Sequence, residues 1–257
     1  MAEQGDADVL GKKVFFLHPS ALIQNQVIEE LVQEEFEVYS TKDETKLRKL
    51  LKKYHDSIVF ANISDGMKET AWEDWIKSVM ADSGTAGVGI GIIASNDDTS
   101  LRYKYATQIK VSCGYTVVKP PLPPAIKQLV SVLHNANAKG RRKYLRAITE
   151  QEANITVNIP MNGTFVTGTI RDISAVGFSC SFSQDPELAK NSHIPDMQIR
   201  LKSQLLKVPG IVFGSRVHLA EKVYVILFTQ SASPDIHTKI RKFIHSLLQS
   251  RIDSELK

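Results

Sequence analysis

Lys139-Gly140-Arg141-Arg142-Lys143-Tyr144-Leu145-Arg146 divides the 257-residue chain into two textures. Four cations (Arg141, Arg142, Lys143, Arg146) fall within six residues, beside a flexible Gly140. Upstream, apolar runs alternate with amphipathic stretches; downstream, short period-two runs follow one another. The stretch therefore reads as the joint between two domains, and its charge as one half of a site for an anionic ligand.

Upstream, Lys12-Lys13-Val14-Phe15-Phe16-Leu17 reads as a buried strand stopped by His18-Pro19. Ser20 is placed to cap a helix with Leu22, Ile23, Val27, Leu31 and Val32 along one face. Residues 36–39 make a second strand, and Leu47, Leu50, Leu51 and Tyr54 repeat at helical spacing. Further strands are expected at 57–61, 88–93 and 115–118, with helices near 68–81, 98–110 and 122–136. Five strands alternating with five helices predict an α/β fold, a doubly wound parallel (βα)5 sheet.

At Lys119-Pro120, directly after the fifth apolar run, this block resembles a response-regulator receiver domain. That family carries Lys-Pro at the end of its fifth strand and Ser or Thr after its fourth, where Ser95 lies here. Its chemistry also needs an acidic pair after the first strand, for magnesium, and an aspartate after the third, to accept phosphate. Here His18-Pro19 and Ala61-Asn62 occupy those positions, and the nearest carboxylate, Asp65, lies several residues late. A neutral Asn does not accept a phosphoryl group as a carboxylate does, and the metal has too few hard oxygen ligands. The resemblance thus implies a receiver-like domain without phosphoacceptor chemistry, which binds a partner or the chain's own second domain.

Lys119-Pro120-Pro121-Leu122-Pro123-Pro124 stiffens the entry to the last helix of this block, and residues 135–140 lose the apolar period and read as linker. Beyond it, Ile155, Val157 and Ile159 alternate with polar residues, and strand-like runs recur at 165–170, 178–182, 197–201, 206–208, 211–213 and 223–228. So many short strands with Gly and Pro between them predict a small antiparallel barrel. Ser233-Pro234-Asp235 starts a helix, whose Ile236, Ile240, Phe243, Ile244, Leu247 and Leu248 are expected to cover an end or side of that barrel, with a dimer contact as the alternative. The expected layout is a tail over 1–11, the receiver-like domain over 12–137, a linker over 138–146, and the barrel with its C-terminal helix over 147–257.

Arg142 and Arg146 form R-x-x-x-R, and after 25 intervening residues Asp172-Ile173-Ser174-Ala175-Val176-Gly177 forms D-x-S-x-x-G, expected between the first two barrel strands. At this spacing, within an all-β stretch that ends in a helix, the two motifs resemble the PilZ domain. The likeness covers roughly residues 139–250, and none of the five signature residues departs from the pattern. It implies a non-enzymatic receptor for the bacterial second messenger cyclic di-GMP, with Arg141, Arg142, Arg146, Asp172, Ser174 and Gly177 as binding residues. In that family an arginine just before R-x-x-x-R goes with binding a stacked, intercalated ligand pair. Arg141 holds that position, so two cyclic di-GMP per protomer are implied.

The residue chemistry points the same way. Arginine offers a fork for phosphate oxygens and a plane to stack on a purine. Asp172 can accept the N1 and N2 donors of guanine, Ser174 offers a hydroxyl to phosphate or backbone, and Gly177 allows close approach or positive φ.

Composition narrows the remaining choices. From residue 139 onward there are 17 Lys+Arg against 10 Asp+Glu, whereas residues 1–138 hold 15 against 18. The basic half suits an anionic partner, but its cations are dispersed among strands without an aromatic stacking platform, which disfavours nucleic acid. No apolar run approaches the roughly 20 residues of a membrane helix, and the acidic N-terminus lacks the layout of a secretory signal. Two cysteines, Cys113 and Cys180, supply neither a disulfide framework nor a Cys-based metal site, so a cytoplasmic protein is expected. Gly87-x-Gly89-x-Gly91 sits at or in a strand rather than at a dinucleotide-binding turn, Trp72 and Trp75 read as helix packing, and the histidines are too scattered to hold metal. No catalytic set, metal or cofactor is expected; the partners are cyclic di-GMP and an unidentified protein. The rival readings are an adaptor with a ligand-free barrel and a phosphorylated response regulator.

Overall fold

A computed structural model describes residues 11–161, 163–218, 221–229 and 233–255. The tail expected over 1–11 lies outside them, apart from Gly11. The chain separates into two compact units with the boundary between Lys143 and Tyr144, and the residues from Ile252 onward group with the first.

The first unit is built on β1 (Val14–Leu17), β2 (Val38–Thr41), β3 (Ile58–Asn62), β4 (Gly89–Ala94) and β5 (Tyr115–Val117). They pair in the order β2-β1-β3-β4-β5, all parallel, which is the doubly wound arrangement expected. With helices on both faces the strands have no solvent side, and β3 is buried at every position. The helices are a π-type turn (Ile23–Val27) leading into α1 (Ile28–Gln33), then α2 (Glu44–Lys53), α3 (Glu69–Ala81), α4 (Thr99–Tyr103) running into a second π-type segment (Lys104–Ile109), and α5 (Pro123–Asn135). In α2 the Asp43 side chain caps the first turn by accepting from the Lys46 N–H at 2.8 Å, and Leu47, Leu50 and Leu51 turn inward. Gly91 lies inside β4, where a Cβ would stand 2.5 Å from the Phe60 ring, so this glycine serves strand packing.

At the C-terminal end of that sheet, the Asn62 amide donates to the His18 carbonyl at 2.8 Å, and the His18 ring lies 3.2 Å from the Glu44 carboxylate. The Ser95 N–H donates to the Ser64 hydroxyl at 2.9 Å. Asp65 is exposed in the turn after β3, its carboxylate accepting from the Gly66 N–H at 2.8 Å. Imidazole and amide groups stand where receiver chemistry uses carboxylates.

The second unit comprises β6 (Arg146–Ile148), β7 (Ile155–Met161), β8 (Thr164–Ser174), β9 (Gly177–Phe182), β10 (His193–Leu201), β11 (Gln204–His218) and β12 (Glu221–Phe228). Six of them close an antiparallel barrel, β8-β7-β10-β11-β12-β9, with β9 returning to β8. Closure removes the free edges that an open sheet would expose. Its interior holds Ile155, Val157, Ile199, Val208 and Ile226, and α6 (Pro234–Ser254) adds Ile240, Ile244 and Leu247 to the same core. The expected helix face thus covers the barrel.

Two boundaries differ from the sequence expectation. The linker was expected to run through residue 146, yet Arg146 opens β6, which adds to β8 beyond the end of β7. The runs at 206–208 and 211–213 belong to one strand, β11, which passes through Pro209-Gly210. There Pro195 and Asp196 of β10 stand opposite Pro209 alone, so the ladder is interrupted where proline has no N–H to donate.

Candidate functional site

β8 carries a one-residue slip that decides where its polar side chains point. Ile170 stands opposite Cys180 on β9, and the next paired residue is Asp172, opposite Ser179, so Arg171 is the extra residue of a bulge. The bulge shifts the phase of the strand. Ile170 and Ile173 both enter the core, and Asp172 takes the outer face with its side chain 25% exposed. Strict alternation from Ile170 would have sent the Asp172 carboxylate inward, at the cost of burying a charge. Thr149 holds the bulge from the other side: its N–H donates to the Arg171 carbonyl at 2.7 Å and its hydroxyl to the Ile170 carbonyl at 2.6 Å.

Against this segment lies β6, with Arg146 opposite Ser174, Ala147 opposite Ile173 and Ile148 opposite Asp172. Ala147 is fully buried, which leaves the side chain of Arg146 on the outer face. From there its guanidinium reaches diagonally to Asp172, Nη1 to Oδ1 3.6 Å. The other carboxylate oxygen of Asp172 accepts from the Ser179 hydroxyl. The neighbouring Arg171 is bound to Glu150 and, at 3.2 Å, to Glu221.

Ser174 and Gly177 close the β8–β9 hairpin around Ala175-Val176. Ser174 is buried and its hydroxyl donates to the Gly177 carbonyl at 3.0 Å, so of the two roles foreseen it fills the backbone one. A Cβ on Gly177 would meet the Ile226 carbonyl oxygen at 2.4 Å and Leu227 Cα at 3.0 Å, and its φ is not positive. Close approach to β12, rather than a left-handed turn, accounts for this glycine. A ring nitrogen of His237 on α6, Nδ1, lies 2.7 Å from the Ala175 carbonyl, fastening the turn to the helix.

The barrel therefore brings Arg146, Asp172, Ser174 and Gly177 together across two strand pairings, β6–β8 and β8–β9. Asp172, contrary to expectation, sits within a strand rather than between strands. Arg141 and Arg142 are exposed in the segment on the other side of the unit boundary. Sequence reasoning passed over Ser179 and Thr149. Ser179 occupies the outward phase of the run at 178–182, which was a usable signal, but its partner depends on cross-strand register. Cys180 packs fully buried in the barrel core, where burial, and then the charge of Asp172, push its thiol above the usual range.

Chemically, the outer face presents a carboxylate able to accept two N–H donors in one plane, beside a half-exposed guanidinium able to hold phosphate. Among the described residues no cluster of three or more His, Cys, Asp or Glu is placed to hold a metal ion, and no helix is long and apolar enough to cross a membrane.

No protein-family model matches the chain, and no curated protein matches it. Solved structures do. The PilZ domain with c-di-GMP of YcgR from Escherichia coli is 13% identical with a TM-score of 0.39, over 46% of this chain and 98% of that one. The inhibitor of motility MotI/DgrA of Bacillus subtilis is 13% identical with a TM-score of 0.37, over 44% and 53%. The MrkH–c-di-GMP complex of K. pneumonia is 16% identical with a TM-score of 0.36, over 46% and 55%. The match thus spans about half the length of the two larger proteins. The fold itself rests on the strand order and closure described above.

Proposed function

We propose that the chain is a non-enzymatic, cytoplasmic cyclic di-GMP receptor. Asp172 reads the N1–H and N2–H donors of a guanine, while Arg146, with Arg142 and Arg141 of the linker, takes the phosphodiesters and stacks on the purines. The observation that carries this reading is the placement of Arg146 beside Asp172 on one outer face, by a register that joins both sequence motifs across β6 and β8. Ser174 and Gly177 support it indirectly, by holding the hairpin that sets Asp172 in place. Arg141 before R-x-x-x-R supports a stacked pair of ligands per protomer.

Ligand binding gathers the linker arginines and so alters how the receiver-like unit is presented to a protein partner. Such a switch requires no covalent chemistry.

Calorimetry with cyclic di-GMP on the full chain tests the reading. Two ligands per protomer are expected, with binding lost in Arg142→Ala and in Arg146→Ala while the melting temperature holds. A single ligand per protomer removes the paired-ligand assignment. Unchanged affinity in both variants removes the site, and no binding at micromolar ligand leaves the adaptor with a ligand-free barrel.

A further inference from the structure

Beside Asp172 the outer face of the barrel sinks into a concavity of 190 Å³, lined by Asp172, Ser179 and the Arg171–Glu150 ion pair and, from β11, by Arg216 and His218. Neither Arg216 nor His218 belongs to the motifs discussed above. Val223 forms the floor and is 2% exposed; Ile148 stands at the rim, 63% exposed. The volume lies below the roughly 300–1,000 Å³ of pockets that enclose a whole drug-sized ligand. It suits a single ring system.

We infer that this concavity is a guanine subsite in which Arg216 reads the edge opposite to the one read by Asp172. This rests on the cyclic di-GMP reading above and deepens it. The two edges of guanine differ in kind. N1–H and N2–H donate and call for a carboxylate, whereas O6 and N7 accept and call for a guanidinium fork. Those two complementary groups stand on opposite walls here, above an apolar floor against which a purine face can lie. Asp172 and Arg216 are three strands apart along β8-β9-β12-β11, roughly 14 Å at ordinary strand spacing, with Arg216 two residues, about 7 Å, further along than Gly214, which is level with Asp172. One purine flanked by an Asp and an extended Arg spans that gap. Arg216 stands opposite Val223 on β12, so its stem starts at the floor of the concavity. It is exposed, and among the described residues it forms no ion pair that would withhold its donors.

The test titrates cyclic di-GMP and its hypoxanthine analogue cyclic di-IMP, which lacks the N2 amine, into the full chain, Arg216→Gln, Arg216→Lys and Asp172→Asn. Arg216→Gln is expected to weaken both ligands by the same factor, at least about tenfold, because both keep O6 and N7. Asp172→Asn is expected to erase the preference for guanine over hypoxanthine. Arg216→Lys is expected to recover only part of the loss, since lysine keeps the charge without the fork. Affinity in Arg216→Gln within twofold of the unaltered chain overturns the inference and leaves the receptor reading standing. Full recovery by lysine overturns the base-edge assignment. No binding by the unaltered chain overturns the receptor reading and this inference with it.

Discussion

Asp172 and Ser179 face each other across β8 and β9, and the Ser179 hydroxyl donates to the Asp172 carboxylate. The bond adds to the Arg146 contact in fixing how a partly exposed carboxylate is turned. Ser179→Ala is therefore expected to weaken cyclic di-GMP binding by roughly two- to thirteenfold, the worth of about one hydrogen bond of 0.5–1.5 kcal/mol. Melting temperature should change little, because Arg146 still stands beside the carboxylate. Calorimetry and a thermal melt on the same sample check both halves. An unaltered affinity would show that the hydroxyl only fills space.

Gly177 and Gly214 offer a matched pair of substitutions on adjoining parts of the barrel. A Cβ on Gly177 meets backbone of β12 at 2.4 Å, whereas one on Gly214 has nothing within 4 Å. Backbone does not step aside as a flexible side chain does. Gly177→Ala is expected to cost about 1–3 kcal/mol and lower the Tm by several degrees, as overpacking does. Gly214→Ala is expected to be neutral or slightly stabilising, through the less flexible unfolded chain. Equal melting temperatures for the two variants would remove the close-approach account of the signature glycine.

The sequence carried the first unit almost whole, because five apolar runs separated by amphipathic helices leave few topologies open. The barrel was legible as a class, but its site was legible only in part. A bulge such as that at Arg171 leaves no compositional trace, since it consists of one residue more on one strand than on its partner. β6 is three residues long, too short for a period, and its Arg-Ala-Ile follows a charged linker. Pro209-Gly210 read as punctuation because a central strand ordinarily excludes proline; the bulge on β10 makes it admissible. Arg216 went unremarked because it comes to Asp172's concavity from β11, across two intervening strands.

Thr149 supplies a direct test of the bulge. Its hydroxyl is fully buried and donates to the Ile170 carbonyl beside the extra residue. Thr149→Val keeps the volume and removes the side-chain donor that the Ile170 carbonyl accepts. A loss of about 1–3 kcal/mol is expected, together with weaker ligand binding as Asp172 loses its support. Thr149→Ser restores the donor and is expected to recover most of the binding. A Val variant that melts and binds like the parent would show that the hydroxyl adds nothing to the hold that the Thr149 N–H and β9 already have on the bulge.

Asp185, in the connection between β9 and β10, gives a pH-dependent prediction. Its Oδ1 accepts from the Tyr224 hydroxyl and from the Glu187 N–H at 2.9 Å, and its Oδ2 from Lys222 at 2.9 Å. The Tyr224 bond first, then the Glu187 N–H and Lys222, pull its pKa down to about 2 from the ordinary 3.8. Between those two values the unfolded chain holds the proton and the folded chain does not. The stabilisation is therefore complete above about pH 5 and is lost as the pH falls towards 2. Asp185→Asn is expected to lower the melting temperature at pH 7, with the gap to the unaltered chain narrowing as the pH drops from about 5 to about 2. Exposure of the pair allows water to screen it, so the gap itself should be modest and shrink further in salt. A gap that stays constant across that pH range would mean that the carboxylate contributes through shape and neutral hydrogen bonding rather than through its charge.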